Sequence, residues 1–175
     1  MPIEFDIRES SADDQDALED LYPKAFPDED MVPLVRDLLS QEENVLSLVA
    51  VNKEAVVGHI AFTVCGIAGE NMRIGLLAPL AVVPRFQKQG IGSALTRDGL
   101  ERMKGKGIMR VQVLGDPAYY GRFGFEPDDS VKPPYDLPPD WQTAWQSINL
   151  DDAAQALEGR LSVPEPWRQP ALWGP

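Results

Sequence analysis

The sequence predicts an α+β (mixed α/β) fold with elements in the order β-α-α-β-β-β-α-β-α-β. Apolar runs of strand length stand at 3–8, 45–51, 55–64, 74–83 and 109–114. Between them, residues 12–22, 29–40 and 90–104 carry apolar side chains at helical spacing. Bulk is the third observation: 175 residues, 43% hydrophobic and 25% charged, make about one domain around one core. A single domain over 1–175 is expected, with a core over 1–126 and an extension over 127–175.

Each element has a local reason. Residues 3–8 alternate well enough for a first strand. Ser10, Ser11 and Asp13 offer N-caps to a helix over 12–22, whose apolar positions are Ala17, Leu18 and Leu21. A second helix over 29–40 turns Val32, Val35, Leu38 and Leu39 inward and tolerates Pro33 only in its first turn. Asn52, Lys53 and Glu54 join strands 45–51 and 55–64 in a tight hairpin. After a loop over 66–71, the run 74–83 is almost wholly apolar, which predicts a strand covered on both faces. Pro79 inside it cannot donate to a ladder and predicts a bulge or a break in pairing.

The helix over 90–104 gathers Ile91, Leu95, Gly99, Leu100 and Met103 on one half and Ser93, Arg97, Glu101 and Lys104 on the other. A strand over 109–114 follows, Pro117 opens a short helix over 117–123, and Gly124-Phe125 leads into a further strand. All 4 tryptophans and 9 of the 16 prolines lie from Pro127 onward. That stretch is too aromatic for a disordered tail and reads as an extended segment that packs its rings on the body.

Charge excludes several function classes. The chain has 16 Lys+Arg against 28 Asp+Glu, a formal net charge of −12. Nucleic acid and anionic lipid are therefore not expected as partners. No apolar run approaches the roughly 20 residues that span a bilayer, and residues 1–6 lack the layout of a secretion signal. Cys65 and His59 each stand alone, so no Cys/His zinc site and no intrachain disulfide is available. A cytoplasmic protein without metal is the expectation. The charge is also uneven, with 14 acids and 3 bases in residues 1–44 but 2 acids and 7 bases in residues 84–110. That basic island is either an anion-docking surface or a solvated helix face.

The chemistry concentrates where the strand 74–83 gives way to the helix starting at Gly90. The first N–H groups of a helix lack intrahelical partners, and the dipole adds roughly +0.5 charge there. Gly90 and Gly92 let this backbone approach a bulky anion, so the turn suits phosphate. A Walker loop is excluded because Gly92-Ser93-Ala94 supplies no lysine, and a dinucleotide fingerprint fails at Leu95 where a third glycine is required.

Gln87-Lys88-Gln89-Gly90-Ile91-Gly92 resembles the acyl-coenzyme A motif of the GNAT acyltransferase superfamily, Gln/Arg-x-x-Gly-x-Gly/Ala. A second block, Tyr119-Tyr120-Gly121-Arg122-Phe123-Gly124-Phe125, is similar to that family's aromatic-Tyr-x-x-x-Gly-Phe. The resemblance spans residues 3–126 and implies a sandwich around a twisted mixed sheet. Val57-Gly58-His59-Ile60 and Leu114-Gly115-Asp116-Pro117 resemble a bacterial branch of acetyltransferases without a settled substrate.

The resemblance implies transfer of an acetyl group from acetyl-CoA to an amine of a small molecule or peptide, in a ternary complex and without metal. Amides of Lys88, Gln89, Gly90, Ile91, Gly92 and Ser93 would hold the pyrophosphate, with Gln87 bracing the turn. Leu80, Ala81 and Val82 would pair with the pantetheine arm, and a freed amide beside Pro79 would face the oxyanion. Tyr120 matches the general acid; a phenol stays protonated at neutral pH. The base has no residue: Leu76-Leu77-Ala78-Pro79-Leu80 contains no acid, which leaves water, Glu70, Asp116 or an acceptor arriving neutral. His59 reads as a core or pocket-wall histidine, and Cys65 as a small buried hydrophobe. Trp141 and Trp145 line an acceptor pocket or simply pack, and a homodimer stays open. Two other readings remain: a coenzyme A-binding regulatory module without turnover, and an O- or longer-chain acyltransferase.

Overall fold

A computed structural model describes residues 3–174. Its elements are β1 (Asp6–Glu9), α1 (Gln15–Ala25), α2 (Val32–Leu39), β2 (Val45–Asn52), β3 (Ala55–Ile67), β4 (Ile74–Val82) and α3 (Ile91–Gly105). They continue with β5 (Arg110–Leu114), α4 (Pro117–Tyr120), β6 (Glu126–Pro127), β7 (Val131–Lys132), β8 (Trp145–Asn149) and β9 (Gly159–Ser162). The expected α/β order stands through β6, and the Trp- and Pro-rich stretch adds three strands. The chain divides into two compact units, one of residues 3–62 with Ala78–Arg102 and one of Thr63–Leu77 with residues 103–174. β3 and β4 each contribute residues to both.

In the first unit β1 lies antiparallel to β2, from Asp6↔Val51 to Glu9↔Leu48. Ser11 starts a short 3-10 turn over Ala12–Asp14 before α1, and its N–H donates to Asp14 Oδ2 at 2.7 Å. Asp14 also accepts both guanidinium nitrogens of Arg8, at 2.8 and 2.9 Å. Those Arg8 bonds, more than the opposing burial, hold the Asp14 carboxyl below its ordinary range. α1 runs past the expected end, through Pro23 to Ala25, and Ala17 is exposed rather than inward. The β2–β3 hairpin turns on Lys53 and Glu54, both at positive φ (47° and 69°), as tight hairpins require.

Leu21, Tyr22, Val35 and Ala81 form a buried cluster of α1, α2 and β4 residues. α3 sits close to β3: a Cβ on Gly99 would lie 2.5 Å from Cζ of Phe62, which is fully buried. His59 occupies the core as a neutral ring. Its Nδ1 meets the Tyr22 hydroxyl at 2.6 Å and its Nε2 meets Ser47 Oγ at 2.7 Å, while Ser10 Oγ donates to Ser47 Oγ at 2.6 Å. Burial lowers the His59 pKa to about 3 against a weaker upward pull from Asp14. The buried Tyr22 phenol is satisfied by that ring, and its own ring stacks on Phe26 at 6.0 Å.

In the second unit β4 pairs in parallel with β5 through Gly75↔Val111, Leu76↔Gln112 and Leu77↔Val113. The register ends before Pro79, the break that a residue without an N–H imposes. β8 lies antiparallel to β5 from Arg110↔Asn149 to Leu114↔Trp145, β6 pairs with β8, and β9 pairs with β3 and β7. Three tryptophans are buried with their N–H groups used: Trp145 donates to Val131 O (2.7 Å), Trp167 to Thr63 Oγ1 (3.0 Å) and Trp173 to Trp167 O (3.0 Å). Trp145 and Trp173 meet edge to face at 5.8 Å. Cys65 is buried, and burial alone pushes its thiol up to about 12. Among the described residues no helix is long and apolar enough to cross a membrane.

Two outcomes follow from the first unit. Gly99→Ala should destabilise by about 1–3 kcal/mol, because Phe62 must move. A gain in urea stability near the ~1 kcal/mol that alanine brings to a helix would show the close approach to be no constraint. His59 takes up a proton near pH 6.5 when unfolded but only near 3 when folded, so stability is complete above about pH 6.5 and falls as pH drops towards 3. Between pH 7.5 and 5.0 the wild type should therefore lose about 2 kcal/mol more than His59→Gln in urea melts. Equal losses would contradict a buried neutral ring.

Candidate functional site

The strand-to-helix connection is built from residues 80–93, all in the first unit. After β4, Val83 N–H donates to Val57 O at 2.9 Å and Pro84–Phe86 form one 3-10 turn. Ala81 is buried while Leu80 and Val82 are half-buried, so this strand end keeps one partly open face. Gln87 Nε2 donates to Val82 O at 3.0 Å, which ties the turn back to the end of β4. Gln89 Nε2 does the same to Arg85 O at 3.0 Å.

Lys88 has φ 61° and Gly90 has φ 90°, with Gln89 between them at negative φ. Only glycine adopts such a conformation freely, and Lys88 holds it at a cost that the two glutamine braces offset. Such alternation turns successive N–H groups to one side, the concave arrangement that accepts an anion. Ala94 N–H then closes the first turn of α3 on Gly90 O at 3.0 Å, with Ile91 and Leu95 buried as its anchors. Gln87, Lys88, Gln89 and Gly90 are exposed, and Gly92 and Ser93 are half-buried. Exposed Arg85, Lys88 and Arg97 give the turn its positive surroundings. The turn is thus exposed and set among cations at the start of α3.

Tyr120 belongs to the second unit. Asp116 caps α4 by accepting the Ala118 N–H at 2.9 Å, and its carbonyl accepts the N–H groups of Tyr119 and Tyr120 at 3.1 and 3.0 Å. The Tyr120 ring meets Tyr119 at 4.9 Å and Phe125 at 5.7 Å, both edge to face. Burial, with a smaller contribution from Tyr119, raises the Tyr120 phenol above its ordinary 10. It therefore stays a proton donor throughout the neutral and mildly alkaline range. Tyr119 lies under the Arg122 guanidinium at 4.6 Å, a packing role.

The acid candidates for a base divide differently. Asp116 is committed to its cap, and Glu70 sits in an exposed loop. Among the described residues no group of three or more His, Cys, Asp or Glu could hold a metal ion. Sequence reasoning missed Gln146, whose Nε2 donates to Gly115 O at 3.1 Å and to Ala144 O at 3.3 Å beside the start of α4. No local signal marks it, because only the pairing of β8 with β5 brings it there.

A family model described as the acetyltransferase (GNAT) family matches residues 15–125, from α1 to the end of the Tyr120 block. The chain is 34% identical over 175 residues to YjhQ of Escherichia coli (strain K12), named an uncharacterized N-acetyltransferase, covering 96% of each chain. The crystal structure of the GNAT family N-acetyltransferase YhbS from Escherichia coli in complex with CoA superposes with a TM-score of 0.86 at 30% identity, over 95% of this chain and 93% of that one. A GNAT family acetyltransferase from Brucella melitensis, solved with acetyl-CoA, gives 0.76 at 27% identity over 94% and 98%. With the strand, the glutamine-braced turn, the helix and the tyrosine block in family order, this chain belongs to the GNAT acetyltransferase family.

Proposed function

We propose that the protein transfers the acetyl group of acetyl-CoA to an amine of a small molecule or peptide, by direct attack in a ternary complex. The observation that carries this is the turn at Lys88 and Gly90, whose backbone signs and glutamine braces suit a diphosphate. Relatives solved with CoA and acetyl-CoA support the choice of anion.

Acetyl-CoA supplies an activated acyl group; the chain's own residues bind, orient and move protons. The amides of Lys88, Gln89, Gly90, Ile91, Gly92 and Ser93 hold the diphosphate, and Gln87 keeps them in place. Leu80, Ala81 and Val82 offer strand-like backbone to the pantetheine amides, and a backbone N–H there stabilises charge developing on the carbonyl oxygen. Tyr120 gives its proton to the departing thiolate, a role that its raised pKa suits at neutral pH.

An alkylammonium near pKa 10.4 must lose a proton first, a deficit of about 4.6 kcal/mol at pH 7. β4 supplies no carboxylate and Asp116 is held in its cap, so the amine loses its proton to water or arrives neutral. The missing β4 carboxylate also favours a second reading, a coenzyme A-binding module without turnover. Thiol release from acetyl-CoA across a panel of amines separates the two: turnover with any amine supports the transferase, and tight binding with no turnover supports the module.

Tyr120→Phe should lower kcat by about 10²–10⁴-fold while acetyl-CoA affinity in calorimetry stays near wild type. Over pH 7–9 the wild-type kcat/KM should rise without an alkaline fall, since the acid stays loaded. Full activity of the variant across that range would remove Tyr120 from the reaction. Gly90→Val should abolish acetyl-CoA binding, because a β-branched residue cannot hold φ 90° without reshaping the turn. An unchanged heat of binding would contradict the cradle.

A further inference from the structure

We infer that Gln146 is a positioning residue for Tyr120, holding the seat of its ring through the backbone of Gly115. This rests on the reading of Tyr120 as the acid. α4 spans only four residues, Pro117–Tyr120, and so short a helix cannot set its own direction. Its direction is set where it leaves β5. There Gly115 N–H donates to Ala144 O at 3.0 Å, which extends the β5–β8 ladder by one bond. Gln146 Nε2 then closes the other side, donating to Gly115 O at 3.1 Å and Ala144 O at 3.3 Å. With both its N–H and its C=O bound, the Gly115 backbone hands a fixed start to Asp116, whose carbonyl accepts the Tyr120 N–H at 3.0 Å.

Gly115 also touches the ring itself. A Cβ there would lie 2.5 Å from Tyr120 Cε2 and 3.0 Å from Cδ2, so the bare Cα is the floor on which the phenol rests. Phe125 and Tyr119 meet the ring edge to face and complete the seat. The central strand β8 holds Gln146 between Val113 of β5 and Pro127 of β6, and its side chain is fully buried. No donor among the described residues meets its Oε1, nor that of neighbouring buried Gln112. A buried amide with an unmet oxygen is a burden on stability, so its use lies in where its two N–H bonds go.

The test uses Gln146→Met, which keeps the volume and removes the donor, and Gly115→Ala, which raises the floor and leaves the donor. Each is made alone and with Tyr120→Phe. Turnover is followed as thiol release from acetyl-CoA with an amine found active in the acceptor panel. The 4 tyrosines are followed by NMR of ring-labelled protein, with Tyr120 identified by its loss in Tyr120→Phe. Each single variant should lower kcat about 10- to 100-fold with KM for acetyl-CoA within about twofold, as for a misplaced catalytic group. The Tyr120 signal should move while that of Tyr22 stays, and neither variant should lower kcat further in the Tyr120→Phe background. If Gln146→Met does not fold, Gly115→Ala alone reads the same seat. An unmoved Tyr120 signal, or a kcat loss that persists without the Tyr120 hydroxyl, overturns the positioning role. Full turnover by Tyr120→Phe instead overturns the acid reading, and the positioning role with it.

Discussion

A strand covered on both faces hands the chain to a helix whose first N–H groups stay turned outward, and residues 83–90 are the constraint that allows it. Val83 is still tied to Val57, and by Ala94 the helical ladder has begun. Between them the backbone reverses through two positive-φ residues while Gln87 and Gln89 bind carbonyls behind it. If that turn relaxed, Ile91 and Leu95 would leave their buried positions, and the anion cradle and the packing of α3 would go together. The proposed binding turn and the core are thus one mechanical object here. The side chains doing the bracing are exposed glutamines, whose worth lies in aiming amides and not in burying area.

The same element explains why the turn itself was so legible. A glycine at φ 90°, a glutamine three residues earlier and an apolar helix face are all local, and each leaves its mark in consecutive residues. Hairpin 52–55, the Pro33 first turn and the Pro117 start were readable for the same reason: the chemistry that forms them sits within four residues. The break after Leu77 was legible too, since Pro79 announces its missing N–H. Tyr120 could be placed in its block, but the upward shift of its phenol comes from burial, which no spacing reveals.

Non-local partners account for what could not be read. β3 was expected to stop near Val64, yet Gly66 and Ile67 continue as strand because Ser162 and Leu161 pair with them from far down the chain. β8 was missed altogether. Trp145, Gln146, Ser147, Ile148 and Asn149 do not alternate apolar with polar, and the two-residue strands and prolines around them give no further sign. What makes this segment a strand is β5, itself buried along most of its length, offering an open side. Gln146 inherits its importance from that pairing, and so escapes any reading of residues in sequence.

Arg110 shows what replaces periodicity there. At 5% side-chain exposure it donates to Asn149 Oδ1 (2.8 Å), Asp128 Oδ2 (2.9 Å), Ser130 Oγ (3.0 Å) and Ala154 O (2.6 Å), tying β8 and two loops to β5. Burial pushes the Asp128 carboxyl up, but bonds from Ser130, Ser147 and Val131 outweigh it and keep the group ionised. An ion pair so deep is weak evidence for stability, since apolar replacements of equal volume often serve as well. Its value is directional: five donors in a fixed fork admit one arrangement of four segments, where an apolar contact would admit several. A segment whose register is fixed by one side chain's hydrogen bonds needs no buried stripe, and without a stripe its sequence carries no period to read.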